Sequence, residues 1–270
     1  MSKIDAKDRF YYNKDFLGSS SGRSMRILSE YYGPLQKIQR NKISDTIVFF
    51  GSARIMSRQS AKNKLDNVLK NKDEHKINFM KMNLKMSRFY DEARELAKKF
   101  TNWSKSLRGT KHRYIICSGG GPGIMEAANR GASDAGGKNI GLTISLPYEE
   151  SGNKWISDDL SMKFHYFFMR KFWFLYFAKA IIVWPGGFGT LDELMEVLTL
   201  IQTEKIKKRL PIVLYGKEFW EKVVNWEYLS EIGTVSPQDL ELFHFSDDVE
   251  DSFKYVTELL KNNQLKGPNF

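Results

Sequence analysis

Three short runs of this 270-residue chain combine glycine with residues able to bind or steer charge: Gly51-Ser52-Ala53-Arg54, Ser118-Gly119-Gly120-Gly121-Pro122-Gly123 and Pro185-Gly186-Gly187-Phe188-Gly189-Thr190. Glycine lets backbone N–H groups approach an anion with no Cβ in the way, and a helix start adds partial positive charge. The last run continues into Leu191-Asp192-Glu193, which puts a carboxylate three residues after Thr190. That pair could close a capping box, each residue satisfying the other's end of the helix. Alternatively, a carboxylate in the first helical turn is favoured in its ionised form by the helix dipole. Beside a bound ribose, such a fixed negative charge can stabilise an oxocarbenium-like transition state or orient water.

Arg170 lies in the middle of an aromatic run, Phe164 to Phe177. A guanidinium there is costly to bury without an anion. It could fork onto a phosphate or onto Glu193, or snorkel to solvent from an otherwise apolar helix. The aromatics of this run are expected to build core and a homodimer interface rather than a base-stacking platform.

Two familiar nucleotide fingerprints are absent. Gly119-x-Gly121 is followed by Ile124 where G-x-G-x-x-G has its third glycine, which argues against a dinucleotide site of the NAD type. The run from Pro185 to Thr190 has no lysine of the Walker type, which argues against triphosphate hydrolysis. His75, His112, His165 and His244 show no metal-ligand spacing, so no metal is expected.

Each glycine run follows a short apolar segment and precedes a helical pattern, the alternation of βαβ units and a parallel sheet. Strands are expected at Thr46–Phe50, Tyr114–Cys117, Ile140–Leu146, within Ser161–Phe168, and at Ala180–Trp184, Pro211–Leu214 and Leu242–Phe245. Helical patterns cover Lys62–Lys76, Met82–Phe100, Ile124–Ala135, Leu191 to about Glu204, Phe219–Trp226 and Val249–Leu260. In an open parallel sheet the carboxyl ends lie along one edge, so the three glycine turns converge on one crevice. The expected fold class is α/β: a Rossmann-like, doubly wound, mainly parallel sheet flanked by helices. An N-terminal helical extension, residues 1–43, would precede a single nucleotide-binding domain, residues 44–270. Within the extension, Met25, Ile27, Leu28, Tyr31 and Tyr32 suggest an amphipathic helix ending before Pro34.

The net charge of +10 arises from 42 basic and 32 acidic residues mixed along the chain rather than gathered in a basic tail. This favours a phosphate-bearing small molecule over nucleic acid as the anionic partner. The cluster Lys205 to Arg209 is expected to sit at a helix end, where cations suit the dipole. Cys117 is the only cysteine, which excludes an intrachain disulfide. The N-terminus shows no apolar h-region and no stretch offers about 20 apolar residues, so a cytoplasmic chain without a membrane span is expected.

Taken together, Gly119-Gly120-Gly121-Pro122-Gly123-Ile124-Met125-Glu126-Ala127-Ala128-Asn129, the triplet Met169-Arg170-Lys171 and the stretch from Pro185 to Glu193 resemble the LOG (Lonely Guy) family, long labelled as lysine decarboxylases. The likeness covers about residues 44 to 225, and PGGxGTxxE with an upstream Arg-Lys pair is its specific part. The resemblance implies a Rossmann-like homodimer that hydrolyses the N-glycosidic bond of nucleoside 5′-monophosphates, without a cofactor. AMP is the first expected substrate and cytokinin ribotides the second. It implies Arg170 and Glu193 as catalytic residues, and Gly186, Gly187, Gly189 and Thr190 as the phosphate loop. Gly120, Gly121, Ser52, Glu126 and Lys171 are implied as further nucleotide contacts. The sequence departs from the short plant-type pattern at its GGGPGIMEAAN run and carries a longer insertion between residues 55 and 110. A decarboxylase would need a pyridoxal-phosphate lysine and its acidic partner, for which no motif is present. The rival reading is a phosphorylated-ligand carrier, since the molybdenum-cofactor carriers resemble this same fold.

Overall fold

The computed structural model describes residues 9–70, 74–107, 109, 112–145, 152–263 and 267–269. Seven parallel strands form one sheet: β1 (Thr46–Phe50), β2 (Ile115–Ser118), β3 (Asn139–Ile144), β4 (Ser161–Phe164), β5 (Ala178–Val183), β6 (Ile212–Tyr215) and β7 (His244–Ser246). Their order across the sheet is β4-β3-β2-β1-β5-β6-β7. The middle strands β1, β5 and β6 are buried at every residue, as near-continuous apolar runs covered on both faces must be.

Chain order reverses direction between β1 and β5, so the loops leaving these two strands diverge and open a crevice at their carboxyl ends. Right-handed crossovers put α5 (Arg88–Ser106) and α6 (Ile124–Asp134) on one face of the sheet. They put α7 (Phe167–Tyr176) and α8 (Phe188–Gln202) on the other. The C-terminal α11 (Val249–Asn263) returns to pack on α5, while α9 (Lys217–Val223) and α10 (Trp226–Glu231) follow β6.

Ahead of the sheet lie α1 (Lys14–Gly18) and α2 (Arg23–Arg40). The helix of the extension was expected to stop before Pro34, but α2 runs through it, with Pro34 and Ile38 buried. A proline removes one intrahelical bond. Here tertiary contacts offset that loss: Trp173 Nε1 donates to the Glu30 carbonyl at 2.8 Å, and Tyr31 meets the rings of Phe172 and Trp173. The Glu30 carboxylate accepts from the His165 and Tyr166 backbone N–H groups, so α2 fixes the start of α7.

The region between β1 and β2 holds α3 (Arg58–Lys70), α4 (Glu74–Met86) and α5. Of the expected elements, residues 71–73 of the Lys62–Lys76 pattern and Leu146 of the third strand lie outside the described residues. The cluster Lys205–Arg209 does not close a helix, because α8 ends at Gln202. Instead Lys208 donates to the carbonyls of Gly267 and Pro268. Beside them the buried Lys179 ammonium reaches Gly267 O at 2.7 Å. These lysines tie the C-terminal segment to the far end of the sheet from the crevice.

Candidate active site

The three glycine turns meet at the crevice and are stitched together by the backbone of Ser52. Its N–H donates to the Pro185 carbonyl at 3.1 Å, and its carbonyl accepts from the Ile124 N–H at 3.1 Å. Above this junction is a cavity of about 630 Å3, with walls from β1 and its turn (Phe49 to Arg54), Gly119, Met125, α7 (Phe167, Arg170, Phe174) and α8 from Gly187 to Glu193.

Helix α8 begins at Phe188, earlier than Leu191, with Gly187 as its N-cap and no side-chain cap. The capping box between Thr190 and Glu193 is therefore not formed. Both residues lie inside the helix, and Glu193 occupies its second turn. The first N–H groups of a helix have no intrahelical acceptor. In α8 the Thr190 N–H turns back to the Gly187 carbonyl at 3.0 Å, while Phe188 and Gly189 border the cavity, where N–H groups of a helix start can bind a phosphate. A Cβ on Gly187 or Gly189 would meet nothing within 4 Å, so these positions leave open space. At Gly186 it would come within 2.1 Å of Thr190 Oγ1, so that glycine serves the close packing of the turn on the buried Thr190.

Glu193 is 7% exposed and borders the cavity. Burial pushes its carboxyl up to about 7, against the pull of Lys171 and Arg170. The expectation that the helix dipole keeps this carboxylate ionised is thus corrected: desolvation outweighs a dipole effect that fades beyond the first turn.

Arg170 also lines the cavity and is pinned there. Its Nε donates to the Leu142 carbonyl at 2.7 Å, its Nη2 reaches the Gly119 carbonyl at 3.5 Å, and its guanidinium lies over the Phe174 ring at 4.9 Å. It does not snorkel away; the carbonyls of Leu142 within β3 and of Gly119 just after β2 hold it in the cavity wall. A Cβ at Gly119 would sit 2.5 Å from both Arg170 Nη2 and Met125 Sδ, so any side chain there makes the guanidinium or the thioether shift.

Other expected contacts lie behind the wall. Gly120, with φ of +70°, and Gly121 offer their carbonyls to Asn153 Nδ2, each at 3.1 Å. Asn153 also reaches Asn129 Oδ1, which accepts from the Ser118 hydroxyl at 2.7 Å. Glu126 accepts from the Tyr90 hydroxyl at 2.8 Å and is not among the residues lining the cavity. Lys171 faces α8 rather than the cavity, with Nζ 2.8 Å from Asp192 and 2.7 Å from Glu196. The structure therefore brings together Ser52, Gly187, Gly189, Thr190, Arg170 and Glu193, with Gly186 directly beneath. It sets Gly120, Gly121, Glu126 and Lys171 in a supporting layer.

Sequence reasoning missed several cavity residues. Arg54 was visible as a cation in the first turn, and it stands exposed in the lining of the cavity. Phe188, 92% exposed at the mouth, had no periodic signal because it lies between two glycines. Asn129 and Asn153 could not be linked, since the sequence separates them by a strand whose position only the fold decides.

The fold is an α/β parallel sheet with a helix start, an arginine and a buried carboxylate lining one cavity at its switch point. Residues 125–256 match the family described as possible lysine decarboxylase. The matched segment carries Arg170, Lys171 and Glu193. Among curated proteins the chain is similar to the pyrimidine/purine nucleotide 5′-monophosphate nucleosidase of Escherichia coli K12, at 27% identity over 163 residues, 57% of this chain. The chain covers about a third, 35%, of that relative's length. Among solved structures, the structural-genomics protein TM1055 shares 20% identity over 79% of this chain and 99% of its own, with a TM-score of 0.46. A molybdenum cofactor carrier protein of Chlamydomonas reinhardtii shares 18% over 81% and 99%, with a TM-score of 0.42. No helix among the described residues is long and apolar enough to cross a membrane.

Proposed function

We propose that this protein hydrolyses the N-glycosidic bond of nucleoside 5′-monophosphates, AMP first, to free base and ribose 5-phosphate. The observation that carries the reading is the presence of Glu193 and Arg170 together in the lining of one cavity that the start of α8 also lines. The 5′-phosphate binds the N–H groups of the Gly187–Thr190 turn, with Arg54 at the rim. The ribose then lies along α8 toward Glu193. As the bond to the base lengthens, positive charge grows at the anomeric carbon, and the ionised Glu193 stabilises it from its buried position. Arg170 neutralises phosphate charge or polarises the departing base, and water completes the reaction. A carrier needs the helix start but has no use for a buried carboxylate that costs stability.

The reading includes a homodimer. Phe167, Phe168, Phe188 and Met195 on α7 and α8 are exposed beside the cavity, an apolar surface of the kind that a second copy covers. The test is incubation of the protein with AMP, GMP, CMP and UMP, with chromatography of free base and ribose 5-phosphate. Wild type should release base and Glu193→Gln should not. Tight retention of a nucleotide without release by wild type would leave a binding protein instead.

A further inference from the structure

Consecutive residues of an α-helix project about 100° apart. On α7 this splits Arg170 from Lys171: the guanidinium borders the cavity, and the ammonium turns to α8. There it stands 2.8 Å from Asp192 Oδ2, 2.7 Å from Glu196 Oε2 and 3.7 Å from Glu193 Oε2. The side chain is 17% exposed, so solvent screens these pairs only in part. Three carboxylates at positions i, i+1 and i+4 of one helix thus share one ammonium. An ammonium already engaged by carboxylates at hydrogen-bond distance is poorly placed to bind a phosphate as well.

We propose that Lys171 is a positioning residue: it holds the Glu193 carboxylate toward the cavity in its charged form, and Glu196 acts as the counterweight by competing for the same ammonium. The proposal rests on the reading of Glu193 as the catalytic carboxylate. The groups facing Glu193 are Lys171 and Arg170 from α7 and Asp192 and Glu196 from its own helix; the first two favour its ionised form, the last two oppose it. Removing Lys171 leaves a buried carboxylate beside two like charges, so Glu193 retains its proton to higher pH. Removing Glu196 deletes a like charge and frees the ammonium for Glu193, so ionisation moves to lower pH. Two neutralising substitutions on neighbouring helices therefore act in opposite directions, which a merely structural role for the cluster does not produce.

The test reads Glu193 directly and through turnover. With 13C-labelled glutamate, the Glu193 carboxyl resonance, assigned by its loss in Glu193→Gln, is titrated in wild type, Lys171→Met, Lys171→Arg and Glu196→Gln. The midpoint should rise by about one unit or more in Lys171→Met, stay near wild type in Lys171→Arg and fall in Glu196→Gln. The acid limb of kcat for AMP should move the same way, so that the several-fold loss of Lys171→Met at pH 7 is recovered by pH 9. Coincident midpoints in wild type and Lys171→Met, or shifts of one sign in both neutral variants, would overturn the proposal. Should Lys171→Met not fold, the Glu196→Gln midpoint decides alone. Should Glu193→Gln turn over AMP like wild type, the catalytic reading of Glu193 falls, while the resonance titration still decides what Lys171 does.

Discussion

The turn from Ser118 to Gly123 and the turn from Pro185 to Thr190 look alike in sequence, and the structure uses them in opposite ways. In the first, the glycines are crowded: a Cβ at Gly119 would strike Arg170, and Gly120 and Gly121 are tied by their carbonyls to Asn153. In the second, Gly187 and Gly189 face open space at the first turn of α8. The crowded turn positions a cation, and the open turn leaves room for a ligand. Space around a glycine, rather than the glycine itself, separates a structural turn from a binding turn.

This contrast ranks the expected effects of substitution. The largest is at the chemistry both turns serve: Glu193→Gln should lower kcat for AMP by roughly 10³-fold, the scale of losing one electrostatic stabiliser. Next comes Gly119→Ala, whose Cβ displaces the guanidinium; a misplacement of about 1 Å should cost on the order of 10²-fold in kcat, with the circular dichroism spectrum unchanged. Gly187→Ala should be milder, raising KM for AMP about tenfold through crowding of the bound phosphate, while kcat and thermal stability stay near wild type. Equal losses of kcat in Gly119→Ala and Gly187→Ala would dissolve the distinction between the two turns.

A stability measurement sharpens it further. Burial raises the Glu193 carboxyl from 4.5 to about 7. Between these values the folded protein binds more protons than the unfolded chain, so this group's contribution to stability is greatest below about pH 4.5 and is lost as pH rises through 7. Glu193→Gln should therefore be more stable than wild type at pH 8, by up to on the order of 3 kcal/mol for a displacement of about 2.5 units. The gain should vanish near pH 4, which denaturant titrations at the two pH values would show. On the proposed reading, in which ionised Glu193 is the working form, turnover has the opposite dependence: kcat should rise with pH through about 7.

The strands were legible because a strand buried on both faces is a near-continuous apolar run, as in Thr46–Phe50 and in the expected Ala180–Trp184, where the observed strand runs Ala178–Val183 and also takes in Lys179. Their convergence on one edge followed from parallel connectivity. Local patterns failed where tertiary contacts decide. The start of α8 lay hidden in Phe188-Gly189-Thr190, since glycines of low helix propensity form its first turn. Pro34 read as a stop, yet α2 continues because Glu30 and Tyr31 anchor it to α7. Lys171 read as a phosphate contact because the sequence shows it beside Arg170 and cannot show that the helix turns it to Asp192 and Glu196. The raised pKa of Glu193 was likewise invisible, since burial is a property of the assembled walls.

The most direct measurement is a crystal structure of Glu193→Gln with AMP bound. The account predicts the 5′-phosphate on the N–H groups of the Gly187–Thr190 turn, the anomeric carbon beside residue 193 and Arg170 still held by the Gly119 and Leu142 carbonyls. A nucleotide bound with its phosphate away from the start of α8, or with its anomeric carbon out of reach of residue 193, would contradict it.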